Sequence, residues 1–222
     1  MSISENITKL RTSLPPQVQL VAVSKFHPAE DLMEAYNAGQ RIFGESRAQE
    51  LTAKQKVLPK DIEWHFIGSL QSNKVKDIAS FIHTIHSIDS LKLLQEVHKQ
   101  AEKHNRIIRV LLELHVAQEE TKHGFAPEEC REFLQGFDKE AYPHIRICGL
   151  MGMASFTDDE LRIQQEFQTL HSLFTSFKEN FFADEDYFCE LSMGMSDDYL
   201  LAIQEGSTLI RIGTSIFGER KY

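Results

Sequence analysis

The sequence predicts an α/β fold closed into a single (β/α)8 TIM barrel with an extra N-terminal helix, on three observations. Eight short runs rich in β-branched and apolar residues recur along the 222 residues. Between them lie segments whose apolar residues fall three and four apart, the spacing of a helix that covers a sheet with one face. No Pro/Gly/Ser-rich stretch breaks the series, so residues 1–222 are expected to form one domain. An open doubly wound sheet is the alternative, and it normally uses fewer strands of this kind.

In chain order, a first helix is expected over residues 3–13, outside the repeat. Strands follow near 20–25, 41–45, 63–67, 84–88, 108–116, 146–151, 187–193 and 208–214. Leu91, Leu94 and Val97 mark the helix after the fourth strand. Leu161, Phe167, Leu170, Leu173 and Phe174 mark the one after the sixth. Pro28 and Pro127 suit first helical turns, and Asp89, Thr157 and Ser196 are natural N-caps.

Composition narrows the function. Lys plus Arg number 24 against 33 Asp plus Glu, a net charge of −9 that excludes a basic nucleic-acid binder as the default. With 41% apolar and 26% charged residues the chain is no disordered tail. The first residues lack a basic stretch followed by an apolar run, and no run approaches the ~18 residues of a membrane span. A cytoplasmic protein without membrane contact is expected. Cys130, Cys148 and Cys189 form no CxxC pair and are expected to be reduced and buried. His83 and His86, three apart in a β-like segment, should point to opposite faces, which suits no shared metal.

Barrel chemistry sits where strands end and helices begin. Lys25 closes Val21-Ala-Val-Ser-Lys25 at such an end. It reads either as a solvated lysine or as a Schiff-base nucleophile. With an ordinary pKa of ~10.4, an amine is neutral in only roughly four molecules per ten thousand at pH 7, and partial burial frees more of it.

The last two strand-to-helix loops, where barrels bind phosphate, read Leu191-Ser-Met-Gly-Met-Ser-Asp-Asp198 and Leu209-Ile-Arg-Ile-Gly-Thr-Ser215. Gly194 and Gly213 permit close approach, while Ser192, Ser196 and Thr214 offer hydroxyls. Asp197 and Asp198 would repel an anion unless they point outward along the first helical turn. Singly, each loop reads as a turn with a cap; together they favour a phosphate. Arg211 lies in an apolar strand, where a carboxylate, a carbonyl or a ligand atom must meet it; a structural ion pair and a ligand nitrogen are the two readings. Gly44-Glu-Ser46 and His65-Phe-Ile-Gly68 face the same mouth without distinguishing packing from function. Lys122-His-Gly124, Glu119-Glu120 and Asp158-Asp159-Glu160 read as solvated.

These residues resemble the pyridoxal phosphate homeostasis proteins, which share the barrel of the alanine racemase N-terminal domain. The resemblance runs essentially end to end. It rests on Val21-Ala-Val-Ser-Lys25, Phe43-Gly-Glu45, Trp64-His-Phe-Ile-Gly-Ser-Leu-Gln-Ser-Asn-Lys74, His86-Ser-Ile-Asp89, Gly149-Leu-Met151, Leu191-Ser-Met-Gly-Met-Ser196 with Asp198, and Arg211-Ile-Gly-Thr214 with Ile216-Phe-Gly218. It implies that Lys25 carries pyridoxal 5′-phosphate as an internal aldimine. It further implies that Ser192, Ser196, Gly213 and Thr214 hold the phosphate and that Arg211 faces the pyridine nitrogen.

The family usually has Asn where this chain has Ser46, so Ser46 is not carried over as a ligand. The function implied is a monomeric carrier in vitamin B6 homeostasis that serves pyridoxal phosphate-dependent apo-enzymes without turnover. An arginine at the ring nitrogen discourages carbanion chemistry. Alanine racemases also draw a tyrosine from a further C-terminal domain, and with four residues after Gly218 no such domain is expected. A racemase-like enzyme and a barrel that takes a sugar phosphate are the alternatives.

Overall fold

The computed structural model describes residues 2–117 and 123–219. Eight parallel strands close into a barrel in sequence order: β1 Gln19–Val23, β2 Ile42–Glu45, β3 Glu63–Phe66, β4 Thr84–Ile88, β5 Ile108–Glu113, β6 Ile145–Met151, β7 Glu190–Ser192 and β8 Leu209–Ile212. The seam between β8 and β1 sets Val21 beside Arg211. Around it run α1 Ile3–Ser13, α2 Ala29–Asn37, α3 Ala48–Val57, α4 Val75–Ile78, α5 Leu91–Lys103, α6 Pro127–Gln135, α7 Glu160–Phe181, α8 Tyr199–Gln204 and α9 Thr214–Phe217. The expected barrel and leading helix are both present. Among the described residues no helix is long and apolar enough to cross a membrane.

Alternation along the strands builds two layers. Phe43, Trp64 and Phe66 pack outward under the helices, with the Phe43 and Trp64 rings 6.0 Å apart. Val21, Leu111, Cys148 and Leu209 form a small inner cluster. α7 shows how a helix is held: its buried face of Ile163, Phe167, Leu170 and Phe177 removes side chains worth ~1.5–3 kcal/mol each from water. The marker residues Leu91 and Leu161 stay exposed, because both lie in first turns that precede the sheet-facing part of their helices.

Several boundaries differ from expectation for local reasons. β8 stops at Ile212 because Gly213, at φ −117° and ψ −75°, turns the chain into α9. β5 stops at Glu113, where Phe125 N–H donates to the Glu113 carbonyl and folds the loop back. α5 is capped by Ser90 rather than Asp89, and α7 by Asp159 rather than Thr157, whose hydroxyl instead accepts from Asp159 N–H. α8 begins after Asp198, since the Ser196 hydroxyl is turned to Gly213 N–H. Pro127 opens α6, whereas Pro28 sits one residue ahead of α2. Cys130 and Cys148 are buried, but Cys189 is exposed; all three are free thiols.

β6 carries an irregularity that fixes its upper half. Val110 pairs with Ile147 and Leu111 with Gly149, so Cys148 is the extra residue. Gly149 has φ +154°, and a Cβ there would lie 1.7 Å from the Glu190 carbonyl oxygen of β7. Gly149→Ala is expected to destabilise the protein by at least ~3 kcal/mol, measured as a lowered urea midpoint at unchanged slope. A midpoint within error of the parent would show that β7 can move aside.

Candidate functional site

A cavity of about 260 Å³ opens at the C-terminal ends of the strands. Lys25, Ser196, Arg211, Gly213 and Thr214 all border it. Ser46, Ile67, Met153, Phe156 and Met195 complete much of its wall. In a concavity of about 340 Å³ at the opposite end, beside Gln19 and Ile42, Arg11 donates to the Gly39 carbonyl and Gln40 to those of Leu20 and Ile42.

Lys25 is half-buried, two residues beyond β1. The backbone is held on both sides of it. Ahead of it the Ser24 carbonyl accepts from Lys54 Nζ at 2.7 Å; behind it Phe26 N–H donates to Glu50 Oε1 at 2.6 Å. Phe26 itself sits at φ +69°, a conformation costly for an aromatic residue that this clamp maintains.

Lys54, only 6% exposed, also donates to Glu45 and Glu50 at 2.7 Å each. Glu45 is fully buried and accepts from Ser24 Oγ at 2.6 Å; burial raises its pKa, and the Lys54 ammonium opposes that rise. One residue on, the His27 ring stacks on Phe217 with centroids 4.9 Å apart, tying the loop to α9. Sequence reasoning missed this knot. Glu50 and Lys54, four apart on a helix, carry the signal of a solvated pair, and only barrel closure puts them under the loop.

Arg211 reaches the cavity from inside the barrel. It is 5% exposed, with Nη1 donating to Ser192 Oγ at 2.6 Å and Nη2 to the Gly152 carbonyl at 3.0 Å. Among the described residues it makes no ion pair; a hydroxyl and a carbonyl, the latter one of the partners the sequence allows, meet it instead. Burial lowers its pKa to about 10, which leaves it charged at neutral pH.

Ser192 departs from expectation: it is fully buried beneath Arg211 and does not border the cavity. Its hydroxyl also bonds His86 Nδ1 at 2.9 Å, and His86 Nε2 bonds His65 Nδ1 at 2.8 Å. Burial holds both imidazoles well below the ordinary histidine range, so they are neutral. A polar thread therefore runs along the barrel axis.

The remaining loop is arranged for close packing. Gly194 has φ +94°, and a Cβ there would lie 2.5 Å from that of Ala202. Asp198 does not point outward: its Oδ1 accepts from Met195 N–H, and burial raises its pKa. Asp197 is exposed at the cavity rim. Lys122, Glu119 and Glu120 lie outside the described residues.

Residues 1–221 match the model of the alanine racemase N-terminal domain. A pyridoxal phosphate homeostasis protein of Schizosaccharomyces pombe is 43% identical, over 91% of this chain and 84% of that protein. This chain belongs to the pyridoxal phosphate homeostasis protein family. A second family member, from Pasteurella multocida, is 37% identical over 100% of this chain and 99% of its own length. The structure of PipY of Synechococcus elongatus, described with PLP bound, superposes with a TM-score of 0.87 at 38% identity, covering 98% of this chain and all of that one. Alanine racemase from E. faecalis, at 17% identity and a TM-score of 0.75, shows the shared barrel alone.

Within this family member, the buried knot at Lys54 makes a direct prediction. Lys54→Met strands the Glu45 carboxylate and is expected to cost ~3–5 kcal/mol, whereas adding Glu45→Gln recovers part of that loss. Chemical denaturation of both variants reads the difference; a double variant as unstable as the single one would contradict the pairing.

Proposed function

We propose that this chain is a pyridoxal 5′-phosphate carrier, one barrel domain over residues 1–222, that holds the cofactor through a Schiff base on Lys25 Nζ without turnover of its own. The observation that carries this is the shared cavity: a half-buried amine and a buried guanidinium that is charged at neutral pH border one space with Ser196, Gly213 and Thr214. That donor set fits an aldehyde, an aromatic nitrogen and a phosphate. When bound, the cofactor supplies an electrophilic aldehyde and an electron-withdrawing ring. The relative with PLP bound, PipY, supports the assignment.

Each residue then has a role. Lys25 Nζ is the nucleophile, oriented by the clamped backbone at Ser24 and Phe26. Ser196, Gly213 and Thr214 grip the phosphate. Arg211 donates to the ring nitrogen, and because it can only donate it keeps that nitrogen unprotonated and the ring a weak electron sink. Ser192 serves as the positioning residue for Arg211 rather than as a phosphate ligand, given where its hydroxyl bonds. Ser46 borders the cavity but is assigned no contact.

A micromolar complex, worth ~8 kcal/mol, limits free aldehyde and still permits release. The composition and the family resemblance support a cytoplasmic monomer that exchanges cofactor with pyridoxal phosphate-dependent apo-enzymes.

Lys25→Ala is expected to abolish the yellow absorption band of the loaded protein and the borohydride-stable adduct found by peptide mapping. A reducible adduct on another lysine in that variant would overturn the assignment, and a colourless parent protein that binds sugar phosphates would favour the aldolase-like alternative. Ser196→Ala and Thr214→Ala should each weaken cofactor binding by ~1.5–3 kcal/mol, roughly 10–100-fold, with an unchanged band. Incubation of the loaded protein with alanine or serine in deuterated water should give Cα exchange no faster than free cofactor does. Faster exchange would establish a racemase-like enzyme instead.

A further inference from the structure

At the end of the barrel away from Lys25, where β3 and β4 begin, three metal-ligating side chains converge. Glu63 opens β3, His65 lies two residues along it inside the barrel, and His83 immediately precedes β4. One ligand atom from each lies within 4.8 Å of the other two, and His83 Nε2 is 3.8 Å from Glu63 Oε2. The His65 and His83 rings stack in parallel, centroids 5.5 Å apart.

His65 supplies the independent observation. It is 2% exposed, its Nδ1 is committed to His86, and its Nε2 is buried with no hydrogen-bond partner. Buried polar atoms are rarely left so. An imidazole with one nitrogen held by a hydrogen bond and the other without a partner is the arrangement that prepares a histidine for an ion. His83 has its Nδ1 bonded to Thr84 Oγ1 at 2.9 Å, which leaves Nε2 towards Glu63. The His83 and Glu63 side chains are 39% and 47% exposed, so an ion can enter from solvent and keep a water. Two cations face the site: Arg109 is paired with Glu190, and Arg106 is turned to the Ala79 and Ile82 carbonyls.

We propose that Glu63, His65 and His83 bind a divalent transition metal of the zinc class, with a fourth coordination position open to water. Two imidazoles and one carboxylate suit zinc rather than magnesium or calcium, which take oxygen donors. Bonds of ~2.0–2.1 Å around a tetrahedral ion set ligand atoms about 3.4 Å apart, a gap that rotation of the two half-exposed side chains closes. Zinc on His65 Nε2 leaves the ring proton on Nδ1, so His65 donates to His86. His86 then donates to Ser192, whose oxygen also accepts from Arg211. The ion therefore sets the direction of the thread that ends at the cofactor-side guanidinium.

The test is calorimetric titration of the chelator-treated, full-length protein with zinc chloride alone. One saturable equivalent is expected. His83→Ala should weaken it by more than the ~10–100-fold that follows loss of a group hydrogen-bonded behind a ligand, with Glu63→Gln also weakened and Cys189→Ser unchanged. Circular dichroism melts verify that each variant is folded. Parent-like zinc binding in both folded ligand variants, loss of binding in Cys189→Ser, or no saturable equivalent in the parent would each overturn the site.

Discussion

A guanidinium enclosed by a closed barrel is the constraint around which this molecule is arranged. Arg211 keeps its charge despite burial, and a buried charge must be hydrogen-bonded to be tolerable. Its acceptors come from β7, through Ser192, and from the loop after β6, through the Gly152 carbonyl. Ser192 in turn bonds β4 through His86, and His86 bonds β3 through His65. Polar contacts thus fix four strands and one loop at the axis, where barrels commonly stack branched aliphatic side chains.

Two buried cations solve the same electrostatic problem in opposite ways. Lys54 is met by two carboxylates, Glu45 and Glu50, and its charge is neutralised in holding the loop beneath Lys25. Arg211 is met by neutral acceptors, so its charge remains available to whatever enters the cavity. In a chain of net charge −9 this local arrangement matters more than the total, because a low-dielectric wall screens Arg211 less than water screens the surface acids.

The same contrast explains how much was legible in the sequence. Strand number and order follow from periodicity, and Lys25, Ser196, Gly213 and Thr214 follow from their places just beyond strand ends. Depth along the axis does not. Glu190 and Ser192 share one inward-facing parity on β7, and spacing alone cannot distinguish a hydroxyl at the mouth from one a layer below. Lys54 and Glu45 were hidden because their proximity exists only once β2 and α3 close against the loop. The histidines show the same limit: His83 and His86 share no ligand cluster, and the partner of both is His65 on the neighbouring strand, a pairing that only the closed barrel creates.

The thread of neutral imidazoles has only two self-consistent directions, since each ring carries one N–H. If Ser192 donates to His86, then His86 donates to His65 and the atom without a partner at Nε2 is an N–H. In the reverse direction that atom is a bare lone pair and the Ser192 proton is released from the thread. Arg211 biases the choice: a hydroxyl that accepts from a guanidinium is polarised into a stronger donor, which favours the run from Ser192 towards His65. A cation at Nε2 demands the opposite run. A cation at the base and the guanidinium at the mouth would therefore act on one string of hydrogen bonds through proton positions alone.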